Sequence, residues 1–575
     1  MCDTASLSLG YDERCHYISI GDNDIFEESP FKNTEKPSGD SFYIKTNANN
    51  IFINGGSMRS LYYGAYELLR QLGTEFYAHD CETMGEGATE PSKINVAVTP
   101  DIPIRAYLNY NTCYSGTDKD FVNKLGNNTS YSLTDDIHGG TVKFGYLGSD
   151  THNARYYVGE SHWGTDYCPA NSLAVGGYVP CLTNGVDYNT DSTSTLSLVE
   201  ANMKKLILAN PSLNYFTFEQ EDGPDGAYCT CEHCVAAAAQ YGRSGVQIRF
   251  INALLAKLRT ESDLSERSYK IVTFAYSYTA SAPQNVSIDK DICVWYAAST
   301  DARYSLLDDN QMESYRTNLS GWKDLTSNAD SGSMILWLYD ASFNNYLSYF
   351  GTSMTAIDET IEEAVSMNTE MLLVQGAYDA DNIWQSEMKS YVWSRKMVNK
   401  NLKAKDLRDA FLNAYFGEAS EYIKSYCDDY DSYYSSNDKY YPVCHGYEYY
   451  SRPSVSNHCS SLKRVNSALD AISSSTTLSD EAKATYTKRL NSVKASSMAS
   501  LLYYYDTYYK AAALSSEQKQ LMGGGLLVSS DTAKAAFIES FKTVCSNAGI
   551  TRCREGVDSN NTVEDFLNNS VAKKY

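Results

Sequence analysis

The sequence predicts a multidomain α/β protein. It has a small α+β N-terminal domain over residues 1–102, a (β/α)8 TIM-like barrel over 103–389 and a helical C-terminal domain over 390–575. Three observations carry this reading. A chain of 575 residues exceeds what one hydrophobic core can serve. Residues 104–378 alternate near-continuous apolar strands with amphipathic helical segments, the pattern of a parallel sheet covered by helices. Beyond residue 390, four long segments carry apolar faces at a period of about 3.6 residues.

In the N-terminal domain, SFYIKT and NIFINGG read as two strands parted by a polar turn at Ala48, Asn49 and Asn50. The following MRSLYYGAYELLRQLG places Leu61, Ala65, Leu68, Leu69 and Leu72 at helical spacing, and Gly73 stops the helix. INVAVTPDIPIR, with two prolines, marks the passage into the barrel.

Six barrel strands are expected, at IRAYLNY, NYFTFEQ, YKIVTFAYS, DICVWYAAS, SMILWLYDA and MLLVQGAY. A helix with Ile251, Leu254, Leu255 and Leu258 on one face separates the second from the third, and AIDETIEEAVSM precedes the last. Eight strands would close the barrel, so two more must lie in the Gly- and Asn-rich region 111–213. The C-terminal helices are DLRDAFLNAYFG, SSLKRVNSALDAI, the long DEAKATYTKRLNSVKASSMASLLYYYDTYYKAA and AKAAFIESFKTV.

Composition excludes some functions. A net charge of −23 repels nucleic acid and anionic membranes, so neither is a partner. No apolar run reaches the roughly 18 residues of a transmembrane helix. The opening MCDTASLSLGYDERCHYISIG has no basic segment followed by an apolar core, so no signal peptide is expected in it. Tyrosines number 49 against 18 phenylalanines. Their flat faces and polar tips suit sugar rings, although a genomic preference for tyrosine explains the count equally well.

In a barrel the C-terminal ends of the strands form the active face. Those positions hold Glu219, Glu221 and Asp222, then Tyr276 and Tyr278, then Trp337, Tyr339 and Asp340, then Gln375, Tyr378 and Asp379. Carboxylates can move protons at a glycosidic oxygen while aromatic rings stack on a pyranose. No Ser/His/Asp elbow is present, and eight histidines give acyl transfer little support. His152 is a candidate hydrogen-bond partner for sugar hydroxyls, whereas His162 reads as an exposed loop residue. Arg105 begins its strand and so reads better as a salt-bridge residue than as a ligand for a substrate carboxylate.

The segment GDSFYIKTNANNIFINGGSMRSLYYGAYELLRQLGTEFYAHDCE resembles the small domain preceding the barrel in α-glucuronidases and several hexosaminidase families. With CLTN, FTFEQEDG, CTCEHC, FINALLAKL, FAYSYTASAPQNV and DLRDAFLNAYFGEA, the chain resembles the glycosidase-like barrels grouped as domain-of-unknown-function family 4838. The likeness runs from about Tyr17 to beyond Ala419. It implies an oligo- or polysaccharide substrate and a secreted or cell-surface setting. By analogy with substrate-assisted hexosaminidases it implies Asp222 as general acid and Glu221 as its helper at a 2-acetamido group. That pair works only if Gly223 lets the chain turn, since neighbours on a regular strand face opposite ways. Otherwise Asp222-Gly223-Pro224 is simply a turn whose carboxylate bonds nearby amides. Asp340 is open to three roles: second catalytic carboxyl, acceptor of a substrate hydroxyl, or strand-end partner of an arginine.

Cys229, Cys231 and Cys234 form C-x-C-x-x-C, a spacing that can turn three thiolates inward for tetrahedral zinc. Cys181 is the candidate fourth ligand and His233 the local alternative. Soft ligands without a water-activating carboxylate suit a structural zinc, and no cofactor is required for catalysis. The competing expectation is reduced thiols, or one disulfide and a spare cysteine. Three functions follow: a glycoside hydrolase acting on glycans that contain N-acetylhexosamine or uronic acid, a non-catalytic carbohydrate-binding barrel, or a zinc-stabilised interaction protein.

Overall fold

The computed structural model describes all residues except 1–15, 85–88, 114–117, 130, 132–133, 191–192, 298–299, 328–329, 344, 348, 350–352, 436–453, 510–513, 525–528, 557–560 and 569–575. Most of the N-terminal stretch examined for a signal peptide thus lies outside the described residues. The chain divides into two compact units. The first comprises Met1–Thr141, Asp340–Ile361 and Val374–Tyr575, and the second Val142–Tyr339 and Glu362–Leu373.

The first unit opens with β1 (Ile18–Ile20), β2 (Phe42–Asn47) and β3 (Asn50–Gly55). Next come β4 (Thr74–Ala78), β5 (Cys81–Met84), β6 (Val96–Val98) and β7 (Ile104–Leu108). Four of these form a sheet in the order β1-β3-β2-β6, and β4 pairs with β5 in an antiparallel hairpin. The expected helix forms at Met58–Gln71, where Ser57 and Ser60 bond each other's backbone in a capping box. Its Tyr63 and Leu68 pack on Phe42, Ile44 and Ile53 of the sheet with Ala65 and Leu72 beside them, whereas Leu69, expected on the same face, is 40% exposed. The rest of this unit is helical, with long helices at Trp384–Val398, Ala404–Phe416, Val455–Ser474, Asp480–Tyr503 and Ser530–Ala548. Met498, Leu502, Phe537 and Phe541 share one core there.

The second unit contributes β8 (Phe144–Gly145), β9 (Tyr215–Thr217), β10 (Lys270–Ala275), β11 (Ile292–Ala297) and β12 (Ser333–Tyr339). These five pair in sequence, all parallel. β13 (Met371–Gln375) completes a sheet of strand order β7-β13-β12-β11-β10-β9-β8. Apolar runs such as ICVWYA are buried along their whole length, as a sheet covered on both faces requires. Helices Thr195–Ala209, Glu232–Leu258 and Glu313–Thr326 intervene between these strands.

The eight-stranded closed barrel is corrected here. β7 and β8 are the edges of a seven-stranded sheet, which is an open, curled half-barrel. The six strands read from the sequence all form. Among the described residues, region 111–213 adds only the two-residue β8, because polar, glycine-rich turns favour bends over extended strand. Among the described residues no helix is long and apolar enough to cross a membrane.

Candidate functional site

Beyond β9 the chain leaves the ladder, yet Phe218, Glu219, Gln220 and Glu221 are all buried. Segment 152–155 holds this acidic run in place. The Glu219 N–H donates to Asn153 Oδ1 at 3.1 Å, and the Ala154 N–H to the Glu219 carbonyl at 2.9 Å. The His152 N–H donates to Glu219 Oε2 at 3.2 Å, while Glu219 Oε1 is buried without a hydrogen-bond partner among the described residues. Burial pushes the Glu219 pKa well above the usual carboxylate range. His152 adopts a left-handed backbone (φ 52°), and its Nδ1 donates to the Gln220 carbonyl at 2.8 Å. Gln220 in turn spans to the Tyr276 carbonyl, the Thr279 hydroxyl and Gln247.

Glu221 is clasped by Arg155, whose backbone N–H donates to Oε1 at 2.9 Å and whose guanidinium meets Oε2. Burial raises its pKa to about 7 despite those contacts, and the Asp222 charge adds to the rise. Asp222 itself is half-buried, and its Oδ1 accepts the Gly223 N–H at 2.9 Å. Gly223 has φ 153°, and a Cβ there would lie 2.5 Å from the Leu173 carbonyl oxygen, so only glycine fits this turn. Tyr278 reaches back to the Glu221 carbonyl at 3.3 Å and packs edge-on against Tyr228.

Along the ends of β10 and β12 run half-buried aromatic rings. His152 lies 6.1 Å from Tyr276 and 5.2 Å from Phe274, centroid to centroid. Phe274 lies 6.3 Å from Trp337, which lies 6.3 Å from Tyr339. Fully buried Trp295 backs Trp337 at 5.2 Å. The structure therefore brings the sequence-predicted His152, Tyr276, Trp337 and Tyr339 into one row joined through buried Phe274, while Tyr278 braces the acidic loop.

In the first unit Asp340 is buried. Its Oδ1 accepts from Lys389 Nζ at 2.7 Å and its Oδ2 from Trp393 Nε1 at 2.9 Å. Its N–H donates to the carbonyl of Gln375, a residue 8% exposed. The sequence reading missed Glu387, which is fully enclosed and accepts from Asn109 Nδ2 at 3.1 Å and Asn111 Nδ2 at 2.7 Å. Burial raises its pKa to about 7. It also missed Arg155 and Lys389, and gave Glu219 no role. The only available signal was Glu387 and Lys389 standing two residues apart in a helix whose neighbours are apolar or small.

Cys181, Cys229, Cys231 and Cys234 converge, with their sulfurs all within 4.8 Å of one another. Among the described residues none of the four is in a disulfide. Cys181 Sγ lies 3.7 Å from the sulfurs of both Cys231 and Cys234. Cys231 caps the helix Glu232–Leu258, its sulfur accepting the Cys234 N–H at 3.4 Å. The thiols of Cys229 and Cys234 turn toward Cys181 and hold its pKa far below the ordinary thiol value. Four soft donors at tetrahedral reach, without a carboxylate among them, fit a closed structural zinc site. His233 stands outside the set, its ring stacked on Tyr188 at 3.9 Å. Cys229 and Cys234 wall the same small cavity as Gln220, Glu221 and Tyr278. A metal held here would therefore brace the acidic run.

A family model described as "Domain of unknown function (DUF4838)" matches residues 85–428. No curated protein gives a significant match. Among solved structures, a GH138 enzyme targeting pectin rhamnogalacturonan II is similar at 10% identity and a TM-score of 0.40, covering 97% of this chain and 78% of that one. A β-N-acetylhexosaminidase from Bacteroides fragilis is similar at 10% identity and 0.36, covering 68% and 86%. A chitobiase from Flavobacterium johnsoniae is similar at 9% identity and 0.36, covering 88% and 86%. At these scores the likeness is loose, and the reading of the site rests on its own residues.

Proposed function

The chain belongs to the DUF4838 family, whose description assigns no activity, and from its site geometry we propose that it binds carbohydrate through the half-barrel. The observation that carries this is the row His152–Tyr276–Trp337–Tyr339, half-buried rings at the ends of parallel strands. Such rings offer flat apolar faces to a pyranose while their polar tips and the His152 Nε2 meet its hydroxyls. The four-cysteine cluster, with a metal bound, would serve this reading by bracing the loop beside the row. The proposed partner is an oligo- or polysaccharide, and the proposed setting is extracellular or at the cell surface.

Hydrolysis is the second reading, favoured by one observation. Glu221, with its pKa near 7, is suited to exchanging a proton at neutral pH, and Asp222 stands next to it at the rim. In this reading Asp222 is the acid and Glu221 its helper.

Glycan binding and cleavage of aryl glycosides and polysaccharides, measured together, separate the two. The binding reading expects retention on immobilised glycan that weakens at least about tenfold in Trp337→Ala, with no cleavage. Cleavage lost in folded Asp222→Asn or Glu221→Gln would establish the hydrolase instead. A wild-type protein that neither binds nor cleaves any glycan would end both.

A further inference from the structure

A cavity of about 340 Å³ lies in the first unit, remote in sequence from the acidic run and the cysteines. Its charged lining is Arg70, Lys124 and Arg395 against Glu67 and Glu75. Most of this charge is already spent. Arg70 Nε donates to Glu75 at 2.9 Å, and a second nitrogen of Arg70 donates to the Lys124 carbonyl. Lys124 Nζ pairs with Glu82 at 2.5 Å.

Two buried polar atoms on this lining are left over. Arg395 Nε has no hydrogen-bond partner among the described residues. Asn123, 1% exposed, donates through Nδ2 to the His138 carbonyl, but its Oδ1 is likewise without a partner. A buried guanidinium donor and a buried amide acceptor are each costly when left without a partner. Native structures rarely tolerate such groups without a ligand or water to meet them. The two are opposite in kind: one needs an acceptor, preferably anionic, and the other needs a donor.

We propose that this cavity binds a small hydroxy-carboxylic acid, free or as a terminal sugar acid. Its carboxylate sits on Arg395 and one of its hydroxyls donates to Asn123 Oδ1. The cavity volume falls in the range of small-molecule sites. The local electrostatics agree. Burial, together with the neighbouring Arg395 charge, draws the Arg70 pKa below the ordinary arginine value. An anion between the two guanidiniums would relieve that repulsion. For Arg395 burial opposes the charge, yet Glu75 and Glu67 outweigh it and keep the group cationic. Hydrogen phosphate carries the same two groups but leaves most of a 340 Å³ cavity empty, and a neutral sugar offers the guanidinium an uncharged acceptor. A hydroxy acid brings a charged acceptor and a hydroxyl donor at a size that fills more of the space. The site is independent of the carbohydrate-binding row.

Isothermal titration of the full chain with D-glucuronate, D-glucose and inorganic phosphate tests this. Glucuronate is expected to bind, with glucose and phosphate weaker by about tenfold or more, the range of one charge-assisted hydrogen bond. Arg395→Gln should weaken glucuronate by a similar factor. Val398→Phe, which fills the cavity without changing its charge, should abolish binding and serves if the first variant does not fold. No binding of glucuronate means that water alone meets these atoms, and overturns the proposal. So does binding that is unchanged in both variants, which would place glucuronate elsewhere. Phosphate binding as tightly as glucuronate overturns the hydroxy-acid assignment.

Discussion

Arg155 supplies two donors to one carboxylate: its backbone N–H and its guanidinium both meet Glu221. The residues are 66 positions apart, and both side chains are largely buried, at 14% and 1% exposure. One residue thus fixes the orientation of the acidic run from its main chain and its side chain together.

Arg155→Met should therefore destabilise the protein by about 3–5 kcal/mol, the cost of leaving one member of a buried pair uncompensated. Adding Glu221→Gln should recover much of that loss. Denaturant midpoints of the wild type, the two single variants and the double variant form the cycle. Simple additivity would show that the pair is not coupled.

Asp340 and Lys389 make the same argument in the first unit with less solvent, at 3% and 2% exposure. Lys389→Met should cost about 3–5 kcal/mol, and Asp340→Asn less, because the amide can still accept from Trp393. Equal losses in the two variants would mean that the Trp393 contact contributes nothing.

Glu387 should make stability depend on pH. Its folded pKa of about 7 lies above the usual glutamate value near 4.5. Between those two pH values the folded state holds a proton that the unfolded state has released. Stability therefore falls as pH rises from about 4.5 to 7 and levels off above, by roughly 3 kcal/mol at most for this group. Glu221 and Asp431, both raised to about 7, act in the same direction. Urea unfolding across this window should show a shallower slope in Glu387→Gln than in the wild type; identical slopes would assign the dependence to the other two.

The cysteine cluster predicts one equivalent of zinc in the purified protein by elemental analysis. Chelation, or Cys181→Ser, should lower Tm by roughly 5 °C or more, since about 2 kcal/mol moves a unit of this size that far. Protein that carries no metal and melts unchanged with chelator would leave the four cysteines as packed thiols.

The legible parts of this protein were local. The runs that became β10, β11 and β12 announced themselves by unbroken apolarity, and the helix Met58–Gln71 by its period and its stop at Gly73. Three cysteines within six residues signalled a cluster, and Cys181, fifty positions before Cys231, could be named because its segment precedes the helix leading into β9. The tyrosine and tryptophan positions of the aromatic row followed from where apolar strands end.

What the sequence alone could not decide was pairing across distance. Whether the sheet closes depended on how much strand the turn-rich region would yield, and turns compete with strand at each residue by small energies. Arg155 with Glu221, and Asn109 and Asn111 with Glu387 more than 270 positions away, meet only because the folded backbone carries them together. Local periodicity records which face of an element is buried. The environment that raises a carboxylate's pKa, or leaves Arg395 Nε without an acceptor among the described residues, is made of neighbours the chain brings from elsewhere. Only the tertiary structure determines those neighbours, because desolvation depends on everything that surrounds a group rather than on what precedes and follows it.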